Sequence, residues 1–313
     1  MPATWERDRP GRSRLSSGSA TVPVAKKFFF LLLPTFTLAA VDVELPLTVG
    51  YVNADMRMQL ASSQYVPDQD GSVRQLSNVQ SIEGGIAPAL QAGAWRFSLG
   101  LAVGAIVAGE SRDDAYATTP GRSADYAASS SDVTGEVWQM EVGIGWTPDI
   151  IEGLRLGPTL RGAIRRESID TGLAQEYRPT WRPIPDNFTH QQIDWYTLHG
   201  GVCAAWDLPH ALTITAEGGL RLARARGEID WPWRSDLRHP GIAYRGSGWG
   251  WATQAEVSWT GERVRTALVA GVDSTSLEGD GQVQRTDESL QDISLTALDR
   301  MALGVALHCG LRF

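Results

Sequence analysis

Hydrophobic residues in this chain recur at every second position. In MALGVALHCGLRF (Met301–Phe313), Met301, Leu303, Val305, Leu307, Cys309, Leu311 and Phe313 share one parity, while Ala302, Gly304, Ala306, His308, Gly310 and Arg312 share the other. Successive strand side chains point to opposite faces, so this segment predicts a strand with one apolar and one small or polar face. The device repeats. Trp95, Phe97, Leu99, Leu101, Val103 and Val107 alternate with Arg96, Ser98, Gly100, Ala102 and Gly104. Trp138, Met140, Val142, Ile144 and Trp146 alternate with Gln139, Glu141, Gly143 and Gly145. Trp249, Trp251, Ala255, Val257 and Trp259 face away from Gln254 and Glu256. Leu156, Leu160 and Ile164 oppose Arg155, Arg161 and Arg165, and Tyr196, Leu198, Val202 and Trp206 oppose Trp195, His199 and Cys203.

A β-sandwich also alternates, but its dry core could not hold the Glu, Gln and Arg of the second parity. Lipid on the apolar side and a wet lumen on the other satisfies both faces, with Trp at the two interfaces. The pattern predicts strands near residues 43–66, 72–90, 94–108, 134–147, 154–169, 190–206, 210–228, 242–259, 263–278 and 296–313. Links near 91–93, 148–153, 207–209 and 260–262 are short; those near 109–133, 170–189, 229–241 and 279–295 are long and rich in Asp, Ser, Gly, Pro and Arg. Short periplasmic turns and long outer loops are the bacterial outer-membrane pattern. The expected fold is therefore all-β, a transmembrane antiparallel β-barrel of about ten strands. The last strand closes on the first, and Phe313 ends the kind of terminal strand that the barrel-assembly machinery recognises.

The amino-terminal segment is read differently. KKFFFLLLPTFTLAA (Lys26–Ala40) has a basic pair, an apolar stretch and a small-residue end. These are the parts of a secretory signal too short to span as a helix. Residues 1–40 are taken as a cleaved export signal, with a true start near Val24, and residues 41–313 as one barrel domain in the outer membrane.

Composition narrows the partners. The net charge is −8, so no nucleic-acid partner is expected. Cys203 and Cys309 fall on opposite parities, which predicts neither a disulfide nor a cysteine metal site. His199, His210 and His308 lack metal spacing, and no cofactor or metal is expected. Lumen arginines such as Arg161 and Arg165 are expected to balance Glu141, Glu217 and Glu256; an arginine near the outer rim would instead meet lipopolysaccharide phosphate. Outer-membrane lipid is thus the expected environment. Small barrels fill their lumen with side chains, which moves chemistry to the outer mouth. Counting the outer link between the first two strands, near 67–71, the second outer link (109–133) offers Asp113, Asp114 and Asp125, and the fourth (229–241) offers Asp236 and His239. A His polarised by an Asp across a cleft from further carboxylates can activate water for amide hydrolysis. Solvated surface charge is the competing reading of the same residues. Trp231 and Trp233 are expected to pack on the rim.

At this point the chain resembles the omptins, ten-strand outer-membrane aspartyl endopeptidases. The resemblance rests on VNADMRMQL (Val52–Leu60), RQLSNVQ (Arg74–Gln80), FSLGLAVGAIVAG (Phe97–Gly109), LRLGPTLRGAIRRES (Leu154–Ser168) and HPGIAYRG (His239–Gly246), together with the order of the loops. It implies a surface endopeptidase that takes a peptide at the outer mouth. Asp236 would orient His239, and Asp113, Asp114 or Asp125 would stand opposite. Omptins carry Asp-x-Asp in the second loop and Asp-x-His in the fourth. Here Asp113 and Asp114 are adjacent, and three steps separate Asp236 from His239. A non-catalytic barrel serving adhesion, ligand binding or envelope integrity is the alternative; a narrow channel or lipid-modifying barrel is the third.

Overall fold

The computed structural model describes residues 41–62, 71–116, 126–172, 175–177, 181–183, 189–232 and 237–313. The export signal expected over residues 1–40 lies outside them. Among the described residues the chain forms β1 (Val41–Ser62), β2 (Gly71–Ile86), β3 (Ala89–Ala92), β4 (Trp95–Tyr116), β5 (Tyr126–Ser130), β6 (Asp132–Trp146), β7 (Asp149–Ile151) and β8 (Leu154–Gly172). It continues with β9 (Gln175–Tyr177), β10 (Trp181–Pro183), β11 (Thr189–Leu208), β12 (Leu212–Asp230), β13 (Leu237–Thr260), β14 (Val264–Arg285) and β15 (Leu290–Arg312).

The wall runs β1, β2, β4, β6, β8, β11, β12, β13, β14, β15 and back to β1, every pairing antiparallel. Closure extends to the last residue: Val43 and Phe313 exchange backbone hydrogen bonds of 3.2 and 3.0 Å. β3 carries the β2 wall on toward the periplasmic end between β1 and β4, and β7 lies on β8. β5, β9 and β10 form a small extension of β4 at the outer end. The turns at Gly93 and Gly153 need positive φ, +59° and +76°, which glycine adopts without a Cβ clash.

The predicted facing is observed. Leu99, Leu101, Ile144, Leu198 and Leu307 are exposed on the outer wall. Glu141, Gln254, Glu256 and Arg161 point into the lumen, where they pair with one another and with neighbours. Tyr51, Trp138, Tyr196 and Trp249 stand toward the outer end of the apolar band; Trp146, Trp206 and Trp259 stand toward the periplasmic end. Cys309 is exposed, Cys203 half-buried, and both are free thiols.

The long links differ from expectation. β4 and β14 continue to Tyr116 and Arg285, well past the expected ends near 108 and 278, whereas β8 and β12 end at Gly172 and Asp230, close to those expected near 169 and 228. The reason is an inversion of faces. In β12, Ile214, Leu220 and Leu222 are apolar and outward; beyond them Ala223, Ala225 and Ile229 are buried inward while Arg224, Arg226 and Glu228 are outward. β1 does the same, changing from outward Leu47, Val49 and Tyr51 to inward Met56, Met58 and Leu60. β15 passes from outward Leu307 and Met301 to buried Leu298 and Leu295, with a bulge in its β1 ladder between Gln59 and Leu60. Outside lipid the outer face of a strand meets water, so the apolar residues must move to the inside. Asp-, Ser- and Arg-rich segments that read as loops are the water-facing sides of these extended strands.

The facing gives a direct test. An arginine at a mid-membrane lipid-facing site costs ~2–4 kcal/mol, and at a lumen site much less. A Cβ added at Gly100 meets only the Glu141 Cβ, at 3.6 Å. Leu101→Arg is expected to reduce the folded fraction in refolding, read by heat-modifiable gel mobility, far more than Gly100→Arg. Equal damage by both would show that the outer face is misassigned.

Candidate functional site

Reading up the lumen face of β8 gives the layers of the interior: Arg155, Thr159, Arg161, Arg165, Glu167, Ile169, Thr171. At the periplasmic end, Arg265 bridges Glu44 and Glu256. Next, Arg161 binds Glu217 and reaches Glu141 at 3.5 Å and Gln254 at 3.2 Å. Thr159 and His199 Nε2 also face Glu217, at 3.0 and 3.3 Å. Above that, Arg165 spans Glu83 and Glu167, each at 2.7 Å. Arg300 joins Glu167 to Asp273, and Arg221 completes the set on Asp273 at 2.8 Å. Trp195 donates its indole N–H to Glu167 (3.2 Å), with the Arg300 guanidinium 5.8 Å from its ring centre. These pairs bear out the expectation that lumen arginines balance lumen carboxylates.

The ionic layers end abruptly. Above them, residues from all ten wall strands make one apolar core; Val133, Ile193, Ile229, Leu277 and Leu298 have no solvent exposure. Through the outer part of this core runs a polar tie across the barrel, with Tyr244 itself a core residue. Arg74 of β2 donates both to Asp113 of β4 (2.6 and 2.9 Å) and to Gln191 of β11 (2.8 Å). Gln191 in turn donates to the Tyr244 hydroxyl of β13 at 3.0 Å. Gly227 makes room for that ring, since a Cβ there would stand 2.3 Å from the Tyr244 hydroxyl. The Trp231 side chain also hydrogen-bonds Asp113. Burial pushes the Asp113 carboxyl above its usual range, against the opposing pull of Arg74. Burial likewise pushes the Tyr244 phenol up.

This geometry locates the residues expected from the sequence. Asp113 faces Arg74 and Trp231, and both its oxygens are taken by the guanidinium. Asp114 is buried and receives Arg112 at 2.9 Å. Asp125 and Asp236 lie outside the described residues. His239 is exposed, and the carboxylate it meets is Asp230, Nδ1 to Oδ1 2.6 Å, brought close by the β12–β13 hairpin. The second and fourth outer links do come together, through Asp113 and Trp231. Arg74, Gln191 and Tyr244 were missed. Their signal is parity: once the faces invert, a polar residue on the inward parity needs a partner across the barrel.

The outer wall above the apolar band carries a belt of charge. Arg166 pairs with Asp194 at 2.5 Å and lies 5.8 Å from the Trp138 ring centre. Arg245 pairs with Asp280 at 3.0 Å, and His190 with Asp170 at 2.6 Å. Arg224 and Arg226 are exposed beside them, Arg226 directly opposite Arg245 in the ladder. Below Arg224, a shallow groove in the lipid face is lined by Met140, Val142, Ile164, Tyr196, Leu198 and Leu222.

A closed ring of long antiparallel strands, apolar outside and ionic within, defines a bacterial outer-membrane β-barrel. The chain belongs to the family described as Pom: Protochlamydia outer membrane protein, whose model matches residues 46–270. Among solved structures it is similar to the outer membrane protease OmpT of Escherichia coli, with a TM-score of 0.64 at 11% identity, covering 87% of this chain and 96% of that one. The outer membrane protein OprG of Pseudomonas aeruginosa matches with a TM-score of 0.38 at 9% identity, covering 88% and 97%. At such identities the likeness concerns the fold. No curated protein matches the chain.

The tie within the core and the outer-wall pair Arg245–Asp280 are expected to differ in worth. Removing one partner of a buried ion pair costs ~3–5 kcal/mol. An exposed pair contributes ~0.2–1 kcal/mol. Arg74 and Asp113 are 4% and 12% exposed, Arg245 and Asp280 63% and 64%. Arg74→Ala should therefore lower the denaturant midpoint of the refolded barrel strongly and Arg245→Ala only slightly. A reversed order would place the weight of the mouth elsewhere.

Proposed function

We propose that this protein is a closed, non-proteolytic barrel that holds its outer strands and loops at the cell surface as a rigid platform. One observation carries the reading: the apolar core between the ionic lumen and the outer mouth, built from every wall strand and free of solvent at its centre. A diffusion channel needs a wet path from end to end, whereas a small barrel filled by side chains has none. Water activation needs an imidazole and a carboxylate facing one substrate. Asp113 is instead spent on Arg74. In planar bilayers the refolded protein is expected to leave conductance at background, and a peptide library incubated with it to stay intact. Stepwise conductance would overturn the closed lumen.

A second reading, omptin-like endopeptidase, keeps one favourable observation: the exposed His239–Asp230 pair on a chain folded like a protease. Here Asp230 would hold the imidazolium. Loss of a positioned base typically costs ~10²–10⁴-fold in rate. Cleavage of the library that His239→Ala abolishes would establish this reading in place of the first; cleavage unchanged by that substitution would remove His239 from it.

The lipid environment supplies the partner. Arg224 and Arg226 stand over the apolar groove as a phosphate-binding head over an acyl-chain bed, the arrangement that a lipopolysaccharide phosphate would take. Replacing both by Gln is expected to weaken lipopolysaccharide retention by the folded barrel in co-purification. Undiminished retention would assign the belt to solubility alone. Recognition of Phe313 by the assembly machinery belongs to the same picture of outer-membrane insertion.

A further inference from the structure

The charges on the outer wall are sorted by sign around one seam. Nearest the apolar band, β12 and β13 present Arg224, Arg226 and Arg245, all exposed. The next two strands, β14 and β15, present Glu278, Asp280 and Asp299, also exposed. The sign therefore changes between β13 and β14. On either side the sectors are bounded by charges that cancel. Arg166 of β8 pairs with Asp194 of β11, and β1 offers Asp55 and Arg57, the latter opposite Asp299 in the ladder.

The two sectors do little to neutralise each other. Arg245 and Asp280 meet across the seam at 3.0 Å. Among the described residues Arg224, Arg226 and Glu278 have no ion-pair partner, and Asp299 receives only the Ser276 hydroxyl. Arg226 stands directly opposite Arg245 in the ladder, and like charges so placed destabilise a sheet. A phosphate would relieve the basic sector and repel the acidic one; a cation would do the reverse. A surface with both signs in mirrored order relieves both, and this chain carries such a surface itself. A two-fold axis parallel to the barrel axis, placed against the seam, turns the basic sector of one copy toward the acidic sector of the other on both sides at once. The same axis keeps both copies inserted in the same direction.

Below the belt, the wall under the seam is low. Ala216 and Gly218 of β12, Thr253 and Ala255 of β13 and Ala270 of β14 face lipid as one patch, joined by the pairings Ala216–Ala255, Gly218–Thr253 and Ala255–Ala270. Small residues let two membrane walls approach closely.

We infer that two copies of this chain pair side by side in the membrane through the β12–β15 face, about a two-fold axis at the β13–β14 seam. This goes beyond the lipopolysaccharide reading, which concerns the basic sector alone.

The test uses the refolded full chain in phosphatidylcholine vesicles free of lipopolysaccharide. Energy transfer is read between copies labelled with donor or acceptor at the amino terminus, as the protein is diluted with lipid. The unaltered chain is expected to associate. One variant, Arg224→Glu with Arg226→Glu, makes most of the face acidic; another, Glu278→Arg with Asp299→Arg, makes most of it basic. Each alone is expected to self-associate at least tenfold more weakly, with heat-modifiable mobility showing a folded barrel. Mixed together, the two are expected to regain association with each other. Restoration on mixing separates a lost contact from a lost fold. It also separates the pairing from lipopolysaccharide retention, which the first variant lowers whether or not the second is present. A monomeric unaltered chain would overturn the inference. So would undiminished self-association of either variant, a mixture no stronger than its components, or association that appears only after lipopolysaccharide is added.

Discussion

Inside hydrocarbon a backbone N–H or C=O has no water to turn to, and each unpaired group costs several kcal/mol. The remainder of the molecule follows from that constraint. It forces each wall strand to have two neighbours, so β15 must find β1, and the chain pairs to its final residue to do so. Closure also removes every lateral edge and encloses a narrow lumen. Most of the charged groups that point into it are satisfied by other inward groups. This accounts for the ionic layers: Arg161, Arg165, Arg265 and Arg300 each reach carboxylates on two strands, so the pairs fasten the wall across its interior as well as neutralising charge.

The second organising fact is that one strand passes through two solvents. The hydrogen-bonded ladder continues unchanged from lipid into water, but the demand on side chains reverses. In lipid the outer face is apolar and the lumen polar. Beyond it the outer face is charged and the interior is an ordinary dry core. The Arg74–Asp113–Gln191–Tyr244 tie runs within that core, where a polar group can be buried only with its partners supplied.

What could be read from the sequence divides along the same boundary. Where one face met lipid, the stripe Leu99–Leu101–Val103 or Met140–Val142–Ile144 gave strand, facing and position without ambiguity, and Arg161 against Glu217 was legible as a lumen pair. Past the interface the period persisted but its phase reversed. Ser111–Arg112–Asp113–Asp114 of β4 is polar on both parities, so no alternation was visible and the segment looked like loop. The mouth was the least legible. Motif spacing pointed His239 toward Asp236, which lies outside the described residues; what motif spacing does not show is that the hairpin also brings Asp230 of the preceding strand to that imidazole. Asp113 was visible as a carboxylate, but Arg74, nearly forty positions earlier, was not visible as its owner; only the β2–β4 register joins them.

The charged belt on the outer wall has a consequence for how the barrel comes to rest. Arg166, Asp194, Arg226, Arg245 and Asp280 now stand in water on the far side of the bilayer from the turns and termini. For the folded barrel to slide back out, they would have to cross hydrocarbon on the outside of the sheet. With ~2–4 kcal/mol for each basic residue at the midplane, several such residues on adjoining strands make the return far slower than any loosening of the fold would suggest. The belt works as a barb: passage is in one direction, and the molecule's residence in the membrane is held by a barrier as well as by its equilibrium stability.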